Sequence, residues 1–408
     1  MKSILIITSF LPYPIHSGGE QAQFNMIEAL RGNFKIGIVF PVNRDNRAED
    51  IKALSDIWPE VQLFPFPWWR QYTYLPFLIQ KARKFVNRHL SSFLKKSKAY
   101  DILGETDFLV SRSYLRFVRR AKEMIEADII QVEFIQNLNI GKYLSEGIKK
   151  IFVHHEIGFV IADRALEGIS LTNRQRTRKE RKKRQEIARL NQYDGVVTLT
   201  ETDKDVLQCA GVKRPIFVSP AAVNTKEMAY GGWNGNLVFI GGFGHHPNQE
   251  GIDWFLSEVA PLIDWSQYPQ TRLKMIGLGW PLSYERDFNG LRVQVLGYVD
   301  DLSEFAARSM MIVPILTGSG MRMKILDAAA LSVPFVSTSV GAEGLDFADG
   351  ESCMIGDDAK IFAKALVKLM SDDMLRKTMA INAHQLYQEK YSLQALVKKR
   401  ETVYQTIL

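Results

Sequence analysis

Cysteine is scarce: Cys209 and Cys353 are the two in a chain of 408 residues. That excludes a disulfide framework and points to a reducing compartment. No apolar run approaches the ~18 residues that a membrane-spanning helix needs. The opening MKSILIITSFLPYP is briefly apolar, but Pro12 and Pro14 interrupt it and no small-x-small cleavage site follows. It therefore reads as a first buried strand and not as a leader. His245 and His246 have no cysteine or carboxylate nearby at metal-ligand spacing. His154 and His155 are neighbours on an expected strand and point to opposite faces, so they cannot easily chelate one ion. No metal is expected. The basic run NRQRTRKERKKRQEIARL at 173–190 carries no interleaved aromatics, and no nucleic-acid-binding motif accompanies it. It reads as a solvated helix, and no nucleic acid is expected as a partner.

What is present is ordinary in amount and particular in order. Hydrophobic residues make up 46% and charged residues 24%, the balance of a soluble globular protein long enough for two domains. The net charge of +7 favours an anionic partner. Apolar strands alternate with glycine loops and helices throughout. Residues 2–8 read as a buried strand, followed by Gly18, Gly19 and a helix over 21–30 with Phe24, Ile27 and Leu30 at core spacing. Strands are expected at 34–42, 127–134, 150–156, 194–200 and 216–219. The 127–134 strand bears Asp128 and Glu133, and the 150–156 strand ends in His154, His155 and Glu156. A polar, glycine-bearing linker over 224–234 precedes a restart. Strand 236–240 runs into Gly241 and Gly242, with a helix over 249–260. Strand 272–276, strand 293–296 and then Gly297, Tyr298 and Val299 follow. Helices are expected at 358–370, 374–388 and 392–408. Strand–loop–helix–strand units of this kind build parallel sheets, whose ligands bind beyond the carboxyl ends of the strands.

The stretch PILTGSGMRMKILDAAALSVPFVSTSVGAEGL, residues 314–345, organises the rest. A strand over 310–315 ends at Gly318, Ser319 and Gly320, and a helix is expected over 321–331. The two glycines permit positive φ and close backbone approach, and a helix N-terminus offers free N–H groups to an anion. Gly320, Lys324 and Asp327 fall at helical spacing on one stripe. A lysine in a first helical turn opposes the helix dipole unless an anion is bound there. Asp327, a turn further in, can accept hydrogen bonds from sugar hydroxyls. Taken alone, a glycine loop and a Lys–Asp pair would signify only a solvated amphipathic helix.

As a whole this string resembles the nucleotide-sugar site of glycosyltransferase family 4, in the variant GSGxRxKxLEA…PVVxTxxGxEGL, and the resemblance extends along nearly the whole chain. It implies an α/β chain of GT-B fold, with two Rossmann-like domains facing across a cleft and a C-terminal helix crossing back. The expected domains are 1–224 plus the crossing helix 392–408, and 225–391. The implied reaction is transfer of a hexose-type unit from a nucleoside diphosphate sugar to an acceptor hydroxyl, with retention and without metal or cofactor. By the same resemblance, His155 orients the donor sugar; because the family's usual diphosphate-neutralising Arg and Lys are missing, Arg322 and Lys324 are the candidates to stabilise the leaving diphosphate. Gly18, Gly19, Gly241, Gly242, Gly318, Ser319, Gly320, Glu343 and Gly344 line the donor, the base rests near Gly297, Tyr298 and Val299, and Asp327 holds the ribose. The departures are specific. Ser319 and Asp327 stand where the common form has two glutamates. Gly242 and Gln249 or Glu250 stand where it has a diphosphate-neutralising Arg and Lys. Ala221, Ala222 and Asn224 replace a typical Asn-Gly and Asp.

Residues 65–100 place Trp68, Trp69, Tyr72, Tyr74 and Phe77 ahead of Lys81, Arg83, Lys84, Arg88, Lys95, Lys96 and Lys98. Such a segment suits either an interfacial contact with an anionic membrane or an ordinary domain helix. The corresponding expectation is a cytoplasmic chain at the inner face of a membrane, acting on a saccharide or lipid-linked acceptor. Two other readings stay open. A nucleotide-sugar epimerase of GT-B-like fold would need no acceptor. A non-catalytic GT-B subunit, to which Ser319, Gly242 and Asp327 would point, would neither hydrolyse nor transfer the donor sugar alone.

Overall fold

A computed structural model describes residues 1–42, 48–71, 110–144, 147–318 and 320–408. Contacts divide the chain into two compact units, one of Met1–Pro14, Ile27–Ser219 and Lys399–Leu408, the other of Ile15–Met26 and Pro220–Lys398.

Among the described residues the first unit has a seven-stranded sheet in the order β3-β2-β1-β4-β5-β6-β7. The strands are β1 Ser3–Ile7, β2 Lys35–Val42, β3 Gln62–Pro67, β4 Ile129–Glu133, β5 Lys149–His154, β6 Gly195–Thr198 and β7 Ile216–Val218. Every pairing is parallel. Strands covered on both faces read as unbroken apolar runs, and SILII of β1 is buried at every position. The Arg112–Ile125 helix shows how the cover forms. Tyr114, Val118, Ala121 and Ile125 recur at helical spacing and are buried, Ser111 caps the start by accepting from the Tyr114 N–H, and left-handed Glu126 ends it. The order reverses between β1 and β4, so their carboxyl ends open a crevice there. Phe10 and Phe134 meet just beyond those ends, ring centroids 4.6 Å apart.

The second unit repeats the plan in the order β10-β11-β9-β8-β12-β13-β14. Its strands are β8 Asn236–Ile240, β9 Arg272–Ile276, β10 Asp287–Phe288, β11 Leu291–Gly297, β12 Met310–Val313, β13 Phe335–Ser337 and β14 Met354–Ile355. All pairs are parallel except the edge pair β10–β11. Here the switch lies between β8 and β12, each followed by a glycine loop and a helix.

The contact division differs from the expected boundaries at 15–26, 220–224 and 392–398. The reason is local: Gly18 lies against Met323, and Asn25 donates from Nδ2 to the Ala222 carbonyl at 3.0 Å. The first turns of the Gly18–Leu30 helix thus count with the second unit. Of the aromatic–basic segment, Trp68 is half-buried and Trp69 exposed in a short turn at Trp68–Arg70. Its remainder, 72–100, lies outside the described residues. Among the described residues no helix is long and apolar enough to cross a membrane.

Candidate functional site

The expected site residues of the second unit gather at the carboxyl ends of β8 and β12. After β8 the chain turns at Gly241, whose φ is +151°, and enters the His246–Trp254 helix with Pro247 in its first turn. The approach there is close. A Cβ on Gly241 would lie 2.6 Å from the Asn248 amide nitrogen, and one on Gly277 would lie 2.4 Å from the Gly241 carbonyl oxygen. After β12, Gly318 and Gly320 have φ of +113° and +82°. Ser319 lies outside the described residues.

Asn248 joins the two loops. Its Nδ2 donates to the Gly242 carbonyl at 2.9 Å, and its Oδ1 accepts from Lys324 Nζ at 2.8 Å. The Lys324 ammonium also stands 4.1 Å from the centroid of the Phe239 ring. Arg322 donates to the Gly320 carbonyl at 3.0 Å. Desolvation first, and then the charge of Arg322, hold Lys324 well below the usual amine range. Partial burial, followed by repulsion from Lys324 and Arg322, holds His245 below its ordinary value. Three basic side chains, Lys324, Arg322 and His245, thus interact at one place, where desolvation and mutual repulsion disfavour the charges of Lys324 and His245, and a bound anion would relieve both.

The helix after this loop begins at Met323, with Arg322 extended at its N-cap, and not at Met321. Gly320 thus precedes the helix and is not part of its stripe, whereas Lys324 and Asp327 remain one turn apart. Asp327 is buried, and its Oδ1 accepts from Gln21 Nε2 at 3.2 Å and from Thr225 Oγ1 at 2.5 Å. Burial raises its pKa to about 6, against the two hydrogen bonds. A carboxyl raised on folding favours the folded state below its unfolded pKa, and loses that contribution as pH rises through about 6. Lowering the pH from about 7 to about 5 is therefore expected to add about 1 kcal/mol from this group. Urea denaturation at both pH values checks it: Asp327→Asn should lose that increment, and an unchanged pH dependence would rule the assignment out.

The remaining positions expected at the site from the sequence are distributed around the same unit. Gly18 lies against Met323, its would-be Cβ 3.3 Å from Cγ, and Gly19 follows it in the helix that brings Gln21 to Asp327. Gly297, with φ +70°, accepts at its carbonyl from the Gly277 N–H at 2.7 Å. Tyr298 is exposed and meets His16 edge-on at 6.0 Å, and Val299 follows in the loop. Glu343 and Gly344 close the short Ser339–Ala342 helix, which Thr338 caps.

In the first unit the two histidines are treated differently. His154 is sealed: its Nε2 pairs with Glu186 Oε1 at 3.0 Å, and the same carboxylate accepts from the Gly158 and Phe159 N–H groups. His155 keeps a side-chain exposure of 12% and pairs through Nε2 with Glu133 Oε2 at 2.9 Å. In the sequence Glu133, like Asp128, stands where the resembled family shows a similar acid, but nothing there links it to His155. Gln21 and Thr225 carry no signal in the sequence, whereas Asn248 carries one, as the second residue of a Pro-Asn pair ahead of a helix.

Comparison with known proteins agrees with this architecture. The fold is GT-B. Sucrose-phosphate synthase from Thermosynechococcus elongatus superposes with a TM-score of 0.70 at 15% identity, covering 100% of this chain and 99% of that one. Anabaena HepE in complex with UDP and glucose gives 0.66 at 12% identity, covering 100% of both. At the level of sequence, residues 234–372 match the family model "Glycosyl transferases group 1". An uncharacterized 44.6 kDa protein in the cps region of Klebsiella pneumoniae is 28% identical over 167 residues, 39% of this chain and 43% of that protein. The match thus spans less than half the length of this relative.

Proposed function

We propose that the chain is a retaining glycosyltransferase of the family 4 type. It transfers a hexose-type sugar from a nucleoside diphosphate sugar, with UDP as the nucleotide, to a saccharide or lipid-linked acceptor hydroxyl. The observation that carries this reading is the Gly242–Asn248–Lys324 bridge between two glycine loops at a topological switch point, with Arg322 beside it. The bond from the anomeric carbon to the diphosphate oxygen breaks with its electron pair going to the diphosphate. The acceptor oxygen bonds the anomeric carbon, and its proton passes to the departing phosphate. Loop 318–320, the helix start at Met323, Arg322 and Lys324 stabilise that growing charge. Asp327 holds the ribose, Gly297, Tyr298 and Val299 the base, and His155 the sugar. Gly18, Gly19, Gly241 and Gly242 allow close approach, and Glu343 and Gly344 lie near the same ligand. UDP is chosen because HepE, the structural relative above, is seen with it. The position of the Klebsiella relative in a cps region favours a cell-surface glycan as the acceptor. Contact of 65–100 with an anionic membrane belongs to the same proposal and is checked by salt-sensitive binding to anionic vesicles.

The test is NMR analysis of products formed by the purified chain from UDP-, GDP-, ADP- and TDP-sugars, with and without saccharide acceptors. Acceptor-dependent product of unchanged anomeric configuration from the UDP-sugar is expected. A free epimerised nucleotide sugar without acceptor would make the chain an epimerase. Neither hydrolysis nor transfer would make it a binding subunit.

A further inference from the structure

Several costly features of the first unit converge on one imidazole. The carboxylate of Glu133 is fully buried at the end of β4. Both of its oxygens are paired: Oε2 with His155 Nε2 at 2.9 Å, while Oε1 accepts from Gln131 Nε2 at 2.6 Å. The Gln131 amide is itself oriented, because its Oε1 accepts from the Tyr404 hydroxyl at 2.6 Å. Tyr404 lies on the Leu393–Ile407 helix, and so does buried Arg400, whose charge also favours the ionised Glu133. Burial opposes ionisation, yet these partners hold Glu133 below its ordinary value.

Phe134 fixes the ring from its face. It stacks on His155 with centroids 4.0 Å apart and an interplanar angle of 11°. To do so it adopts φ +66° and ψ +139°, a conformation that L residues rarely take and that concentrates at functional sites. One edge and one face of the imidazole are thereby determined. His154 is the contrast within the same unit. Its carboxylate partner also caps a helix, and its Nδ1 is sealed without a hydrogen-bond partner among the described residues. A purely structural histidine needs no strained aromatic and no oriented amide behind its carboxylate.

We propose that Glu133 is a positioning residue for His155: its carboxylate fixes the Nε2–H tautomer, which leaves Nδ1 as a hydrogen-bond acceptor for one hydroxyl of the transferred sugar. This rests on the reading of His155 as a donor-sugar contact. An ionised carboxylate can only accept, so the proton of the shared bond belongs to the imidazole, and a neutral ring then has its lone pair at Nδ1. A sugar derivative with that hydroxyl deleted or methylated has nothing to donate, and selection follows from the unpaired acceptor.

The test is ¹⁵N–¹H NMR of the full-length chain labelled at histidine, at a pH of about 8, with the His155 signal assigned by loss in His155→Gln. The expected spectrum has a protonated Nε2 and a bare Nδ1. A proton on Nδ1, protons on both nitrogens, or averaging of the two tautomers would overturn the proposal. Glu133→Gln can donate to Nε2, so it should move the proton to Nδ1 and lower kcat roughly tenfold or more, with little change in UDP affinity. The same tautomer in wild type and variant would also overturn it. The wild-type spectrum needs neither a variant that folds nor any turnover. If it shows the expected tautomer and His155→Ala still transfers sugar normally, the role given to His155 fails while the tautomer assignment holds.

Discussion

Replacing Lys324 by alanine is expected to lower turnover by roughly 10²–10³-fold, the usual scale for loss of one electrostatic stabiliser. The ammonium is held by Asn248 Oδ1 at 2.8 Å and lies over the Phe239 ring. Desolvation and Arg322 disfavour its charge in the free protein. A diphosphate reverses that balance, and more so as the sugar bond breaks and its charge grows. An interaction that strengthens along the reaction coordinate raises kcat and not merely affinity. Steady-state kinetics of the variant against its thermal unfolding separates the possibilities. Full activity would assign the role to Arg322 or another group, and a collapsed fold would make Lys324 structural.

The second large effect is steric. Gly251 lies in the His246–Trp254 helix, and a Cβ there would come within 2.1 Å of the Pro314 carbonyl oxygen. That neighbour is backbone and cannot rotate away, so Gly251→Ala must displace either the helix or the start of loop 314–320. Overpacking of this kind costs about 1–3 kcal/mol and sometimes more. The midpoint of urea unfolding should fall accordingly, and UDP affinity should fall with it because Asn248 rides on the same helix. An unchanged midpoint with unchanged affinity would show that the helix is not seated against that loop.

How legible the fold was follows from the kind of signal each element gives. The strands were readable because parallel strands buried on both faces are continuous apolar runs, as SILII and MMIV are. Helix starts were less so. Pro247 precedes the helix expected over 249–260, yet it sits in the first turn of the helix, where its missing N–H costs nothing. Met321 and Arg322 favour helix by composition, but positive φ at Gly320 and an extended Arg322 delay the start to Met323. The Lys324 and Asp327 pair was visible because both lie on one helix at fixed spacing. Their partners were not, because Gln21, Thr225 and Asn248 reach them across 306, 102 and 76 positions of chain, respectively. No periodicity encodes such meetings. Glu133 is half legible: the resemblance marks it as an acid on its strand, but its pairing with His155, 22 positions away, is not encoded.

The central claim is that the loops after β8 and β12 form a site for the diphosphate of a nucleotide sugar. Calorimetric titration of the wild-type chain with UDP and with uridine tests it most directly, since the two ligands share base and ribose and differ in the diphosphate. The account predicts that UDP binds at least 100-fold tighter, about 2.7 kcal/mol, with an advantage that shrinks as salt rises. Equal affinities for UDP and uridine, or no binding of UDP, would contradict it.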